Sequence, residues 1–171
     1  METWDAVRAR RNVRQYTEQP VPRSDLVRVL EAGRRAPSSR NWQPWHFVVV
    51  TERDRLAELA RVWQGAGHVA KAAAAVALVG ATSDDEPERD ALYYDFGQAT
   101  AFMMLAATDL GIGSAHAGVR DQEQAQRVLG FPDGNFCAYL VALGYPADRP
   151  LRPLERPDRR PFDEVVHWER W

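Results

Sequence analysis

The chain has 171 residues, 45% hydrophobic and 27% charged, with a formal net charge of −2. That composition is ordinary for a soluble globular domain, and the charge balance gives no electrostatic case for nucleic acid. No apolar run reaches the roughly 18 residues that span a bilayer, and a lone cysteine, Cys137, excludes an internal disulfide framework or a multi-cysteine zinc site. The N-terminal stretch METWDAVRARRNVRQYT lacks the apolar core of a signal peptide, so a cytoplasmic location is expected.

Residues 3–11 read as a short helix with Trp4 and Val7 on one face. A second helix is capped by Ser24, carries Leu26, Val27 and Leu30, and closes before Pro37. A polar, aromatic loop follows, from Ser38 to Trp45. Phe47–Val50 is a continuous apolar run with β-branched residues, which predicts a strand covered on both faces. Residues 53–63 have helical spacing until Gly65 and Gly67 break it. Ala74–Gly80 reads as a buried strand, and 82–88 as an acidic loop.

The longest helical pattern runs over 89–110, with Leu92, Phe96, Ala99, Met103, Ala106 and Leu110 recurring every three to four residues. It is apolar nearly all round, which places it in the core or at a subunit interface. Gly111 stops it. Residues 121–129 form an amphipathic helix closed by Gly130, and 136–143 a third strong strand. From Pro146 onward prolines and arginines alternate, so neither a long helix nor a central strand can form. Two readings compete for 146–171, a disordered tail and an extended arm docked on another surface. Phe162, Trp168 and Trp171 favour the docked arm. No repeat or second domain is visible.

Several chemical signals fail on their context. Gly65-Ala66-Gly67-His68-Val69-Ala70 fits a dinucleotide fingerprint, but a helix precedes it and a strand follows, the reverse of what pyrophosphate binding needs. His46, His68, His116 and His167 have no metal-ligand spacing. Cys137 lies in an apolar strand and reads as an inert thiol. No nucleophile or acid–base pair stands out, so an enzyme built on this chain would rely on a cofactor's reactive group.

Two segments carry chemistry. Arg10-Arg11-Asn12-Val13-Arg14 reads either as a helix-capping cation cluster or as a phosphate clamp. Pro37-Ser38-Ser39-Arg40-Asn41-Trp42-Gln43-Pro44-Trp45 mixes compact donors and acceptors with flat apolar area, which suits an aromatic heterocycle.

At these segments the sequence resembles the nitroreductase family of FMN-dependent oxidoreductases. RRNVRQY (10–16) is similar to its phosphate motif, and PSSRNWQPW (37–45) to its ring-binding loop. The resemblance continues through the helix ending in Gly111-Ile112-Gly113-Ser114, the strand ending Ala142-Leu143-Gly144-Tyr145-Pro146, and the tail RRPFDEVV (159–166). It implies an α+β fold, a mixed, mostly antiparallel sheet flanked by helices, in an intertwined homodimer. It implies FMN at the dimer interface, with NADH or NADPH as hydride donor and a nitroaromatic, quinone or similar small-molecule acceptor in a ping-pong cycle. The phosphate falls to Arg10, Arg11, Asn12, Arg14, Arg159 and Arg160. The ring falls to Pro37, Ser38, Ser39, Asn41 and Gln43, from the other subunit, and flavin N5 to the backbone of Ala117, Gly118 and Val119. No catalytic side chain and no metal is implied, and the arm 146–171 is expected on the partner. Asn12 departs from the family's usual Ser, and Ala115-His116-Ala117 from its usual turn. A flavin-storage protein, or a variant oxidising a small metabolite or acting on flavin itself, is the alternative.

Overall fold

A computed structural model describes all 171 residues. Four strands form one antiparallel sheet in the order β1-β2-β4-β3, with β1 His46–Val50, β2 Ala74–Ala81, β3 Gly113–Gly118 and β4 Asn135–Gly144. The parallel component is a single bridge from Asn12 to Ser114 on the outer edge of β3. Five α-helices surround the sheet: α1 Thr3–Ala9, α2 Arg23–Arg34, α3 Arg53–Leu59, α4 Glu86–Asp109 and α5 Gln122–Leu129.

The sheet separates two apolar layers. One packs Leu26, Val29, Phe96 and Met103 of α2 and α4 onto Val76, Leu78, Val141 and Leu143. The other packs Leu56, Leu59, Val69 and Val128 onto Ala75, Ala77, Leu140 and Ala142. The alternation follows from the strand period of two: adjacent residues of β2 and β4 point to opposite faces, and both faces are covered. Full burial of one such Leu or Phe contributes about 1.5–3 kcal/mol, so the central pair β2–β4 anchors the fold.

Local chemistry sets the helix ends. Asp85 accepts a hydrogen bond from the Glu88 amide at 2.9 Å and caps α4, with Pro87 in its first turn. Gly111, at φ +73°, reverses the chain so that the Ile112 amide bonds Ala107 O at 2.8 Å. Asp121 caps α5 in the same way.

The structure corrects several expectations. β1 is not covered on both faces: it is an edge strand whose His46 and Val49 are exposed. A run of β-branched residues satisfies an edge as well as a centre. Helix α2 starts after Pro22, one turn position before Ser24, and ends at Arg34, so Ser24 is not its cap. Helices α1 and α3 stop at Ala9 and Leu59, short of the expected ends. The segment 113–118, read as a turn, is strand β3; Gly-Ser-Ala-His-Ala-Gly lacks the branched residues that announce a strand, and β4 imposes the conformation.

The terminal stretch is extended, as its prolines require. Tyr16 bridges Pro146, Ala147 N–H donates to Gln15 O, and Leu154 N–H donates to Arg8 O, so residues 146–154 lie along their own N-terminal segment. Beyond them Phe162 and Trp168 are exposed, and Trp171 is 100% exposed. This half of the stretch touches no core within one chain.

A close approach fixes the N-terminal segment on β3. A Cβ at Gly113 would stand 2.7 Å from Val13 Cβ. Gly113→Ala is therefore expected to lower stability by about 1–3 kcal/mol through overpacking. Urea unfolding is the measurement, and a midpoint equal to that of the parent would refute the contact.

Candidate functional site

The outer edge of β3 organises the first part of the site. Asn12 pairs with Ser114, and Val13 N–H donates to Ser114 O at 2.9 Å. Extended backbone alternates its side chains, so buried Val13 leaves Asn12 and Arg14 facing outward. Tyr16 locks the segment from behind, its hydroxyl donating to Val13 O at 2.6 Å; burial raises the Tyr16 pKa and keeps that proton in place.

Arg10 donates to Asn12 Oδ1 at 3.2 Å and to no carboxylate. Burial lowers its pKa first, and the nearby charge of Arg159 lowers it further. Arg14 and Arg159 have no acidic partner either; Arg159 donates only to Asp158 O. Arg10 and Arg159 are close enough for their charges to interact, and guanidinium groups without counter-charge suit an anion. Arg11 stands apart. It donates to Asp148 Oδ1 and Arg149 O, both at 2.7 Å, and holds Asp148 below the usual carboxylate range. Arg160 is engaged with Glu164.

Two clefts of about 500 and 580 Å³ open beside the arginines. His116 and Tyr139 line both, so the two clefts adjoin; Arg10 lines one and Arg14 the other. The floor of the Arg14 cleft is Ala117, Gly118 and Val119, with Trp63 and Arg120 on its rim. Nothing lies within 4 Å of where a Gly118 Cβ would be, so a flat ring can reach the backbone there. Thr100 Oγ1 lines the Arg10 cleft, buried and without a hydrogen-bond partner.

The turn after β3 is held by one side chain. Gln122 Nε2 donates to Cys137 O at 2.8 Å and Val119 O at 3.3 Å, and its Oε1 accepts from Cys137 N at 2.9 Å. It pairs β4 where β3 has ended. The register of β2 against β4 shifts at the same place, leaving Ala138 as the extra residue. Bulges of this kind re-aim neighbouring side chains beside sites. The Cys137 thiol, pushed up to about 12 by burial, stays protonated and takes no part.

The loop 37–43 lies elsewhere in the chain. Ser39 binds Asp95 of α4, and Ser38 Oγ accepts from Gln43 N at 2.9 Å. Asn41, Trp42 and Gln43 are exposed, and Pro37 with them. Neither cleft that holds Arg10 or Arg14 contains a residue of 37–45. Within one chain the structure thus brings together Arg10, Asn12, Arg14, Arg159 and the 117–119 floor, and leaves Ser38, Ser39, Asn41 and Gln43 apart.

His116, Tyr139, Thr100, Trp63, Arg120 and Gln122 escaped the sequence reading. In sequence His116 shows only a lack of metal-ligand spacing and a departure from the family's turn. The others carry no motif and meet through β-pairing across distant segments, a signal that composition does not contain.

A sequence profile described as Nitroreductase family matches residues 7–66 and 61–145. A protein of Archaeoglobus fulgidus named for NADH dehydrogenase and NAD(P)H nitroreductase is 31% identical over 166 residues, 95% of this chain and 94% of that protein. An NADPH-flavin oxidoreductase of Vibrio harveyi is 26% identical over 178 residues, covering 96% of this chain and 72% of its own length. The crystal structure of a nitroreductase family protein from Streptococcus pneumoniae superposes with a TM-score of 0.82 at 26% identity, covering 95% of this chain and 97% of that one. The profile spans most of the residues that build the sheet and the arginine edge, and the Archaeoglobus similarity runs nearly end to end: the chain belongs to the nitroreductase family.

Proposed function

We propose that this chain is an FMN-dependent oxidoreductase that takes hydride from NADH or NADPH and reduces an electron-poor acceptor such as a nitroaromatic or a quinone. The observation that carries the reading is the trio Arg10, Arg14 and Arg159, uncompensated by acid, beside a depression floored by Gly118. A phosphate against the arginines and a planar ring over the Gly118 backbone match that donor set. Family membership and a relative named as an NADPH-flavin oxidoreductase support it.

Bound there, FMN would supply the hydride chemistry, accepting from the nicotinamide and passing on to the acceptor in a ping-pong cycle. The chain's own residues bind and orient. Arg10, Arg14 and Arg159 neutralise the phosphate, with Asn12 aligning Arg10. The amides of Gly118 and Val119, in a turn that Gln122 fixes through the Val119 carbonyl, would offer dipoles to the ring edge without reorganisation. Arg11 and Arg160 support from behind, by tethering the 148–149 segment and the 160–164 turn.

The reading includes a homodimer. The loop 37–43 is split from the clefts within one chain, and a second copy would bring it to them. Exposed Trp4, Tyr94 and Phe102 on α1 and α4, and the aromatic end of the arm, form apolar area of the kind that a partner covers. The chain would act as one domain, its 155–171 segment packed on that partner.

The purified protein is expected to show flavin absorption near roughly 370 and 450 nm and to oxidise NADH or NADPH with menadione or nitrofurazone. A protein that binds FMN but is reduced by neither nicotinamide is a storage protein, and the reductase reading fails. Arg10→Ala should weaken FMN binding by about 2 kcal/mol or more, and Arg11→Ala by clearly less, because Arg11 is already paired. Fluorescence titration measures both, and equal losses would contradict the assignment. Removing residues 158–171 should lower dimer stability and FMN affinity together, by sizing and titration. A truncated protein that keeps both would take Arg159 out of the site.

A further inference from the structure

Asp95 is an unusual residue for the middle of a buried helix face. It lies in α4 between Leu92 and Phe96, is fully buried, and pairs with no cation. Its neighbours answer its charge with hydrogen bonds instead. The Ser39 amide donates to Oδ1 and Oδ2, both at 3.0 Å, the Ser39 hydroxyl to Oδ1 at 3.2 Å, and Gln98 Nε2 to Oδ1 at 3.3 Å. A carboxylate taken out of water carries a heavy desolvation penalty, so a purely structural position would be filled better by an apolar residue.

What Asp95 holds is a strained loop. Arg40, Asn41 and Gln43 sit at φ +52°, +58° and +53°, the left-handed region that residues with a Cβ disfavour. Three such residues within four positions persist only where the surroundings over-determine them. Inside the loop, Asn41 N–H bonds Ser38 O, Trp42 N–H bonds Ser39 O, and Gln43 N–H bonds Ser38 Oγ. Those bonds shape the loop but do not attach it. Every hydrogen bond from residues 38–43 to the rest of the protein ends on Asp95.

We propose that Asp95 is a positioning residue for flavin-ring recognition: its buried carboxylate clamps Ser39 and so holds Asn41 and Gln43 in the left-handed conformation that presents them to the ring. It touches no ligand itself. This inference rests on the reading that loop 37–43 binds the ring of FMN. It assigns to α4 a role that no sequence motif carries, linking the helix core to the pose of an exposed loop.

Asp95→Asn keeps the shape but turns part of the acceptor into a donor facing the Ser39 amide. It should weaken FMN and riboflavin binding alike, by at least about tenfold, and change the visible circular dichroism of bound flavin. A loss confined to FMN would put the effect at the phosphate and overturn the proposal, as would unchanged binding. Adding Arg40→Gly, which removes the Cβ from one left-handed position, should recover part of the loss. A loss that this second change leaves untouched would make Asp95 a general stability residue and overturn it too. A test independent of flavin, and of whether the variant folds, is amide exchange in the parent protein. Ser39 N–H should be protected, and exchange at the rate of a free loop would refute the clamp. A parent protein that binds no FMN would instead sink the functional reading.

Discussion

One backbone seam governs the site: Val13 N–H on Ser114 O, with Gly113 lying flat beneath Val13. The seam is short, yet it converts an N-terminal strap into a fifth partial strand on the outer edge of β3. Its consequence is orientation. Once Val13 is inserted, the alternation of extended chain leaves the polar residues on either side of it no choice of face. The arginine edge therefore comes from strand geometry, with Tyr16 pinning the strap and Arg11 tying it to the chain at 148–149. A cluster built on rigid backbone needs little rearrangement to receive an anion, which is why its geometry is worth more than its charge count.

The second half of the site uses a different physics. The 37–43 loop has no sheet to lie on, and its hydrogen bonds are mostly its own. It draws its pose from one buried carboxylate and from Trp45, which is buried against the core and stacked at 6.2 Å on Phe47. Rigid edge and braced loop line no common cleft in a single chain. In the proposed homodimer each copy would supply what the other's clefts lack.

Much of this was legible in the sequence, and the reasons are specific. The long helix announced itself through Leu92, Phe96, Ala99 and Met103, which do line one core face. The strands read at 74–80 and 136–143 are visible because they are nearly all apolar or small and mostly buried on both faces; the structure extends them to 74–81 and 135–144. Arg10 and Arg14 stood out by charge spacing. Strand β3 was hidden because its small residues have weak preferences, and pairing with β4 decides its conformation. Phe47–Val50 misled because branched residues describe a strand without saying whether it is central. Arg11 and Arg14 look equivalent in sequence; only the fold, by placing Asp148 within 2.7 Å of Arg11, separates them. Asp95 carried no signal, since a carboxylate in a helix is ordinarily surface.

The contact between Gly113 and Val13 also constrains how this chain can drift. Positions 13 and 113 share one volume, so a side chain gained at one must be offset by atoms lost at the other. A side chain at 113 would meet the Cβ of residue 13 itself, so truncating Val13 to alanine would not make room for it and only glycine there would. The arginines are carried on that strap, and a small displacement at their root is magnified at their tips. Two apolar atoms' worth of packing, remote from any ligand, thereby becomes a dial for tuning cofactor grip in redesigned versions of the protein.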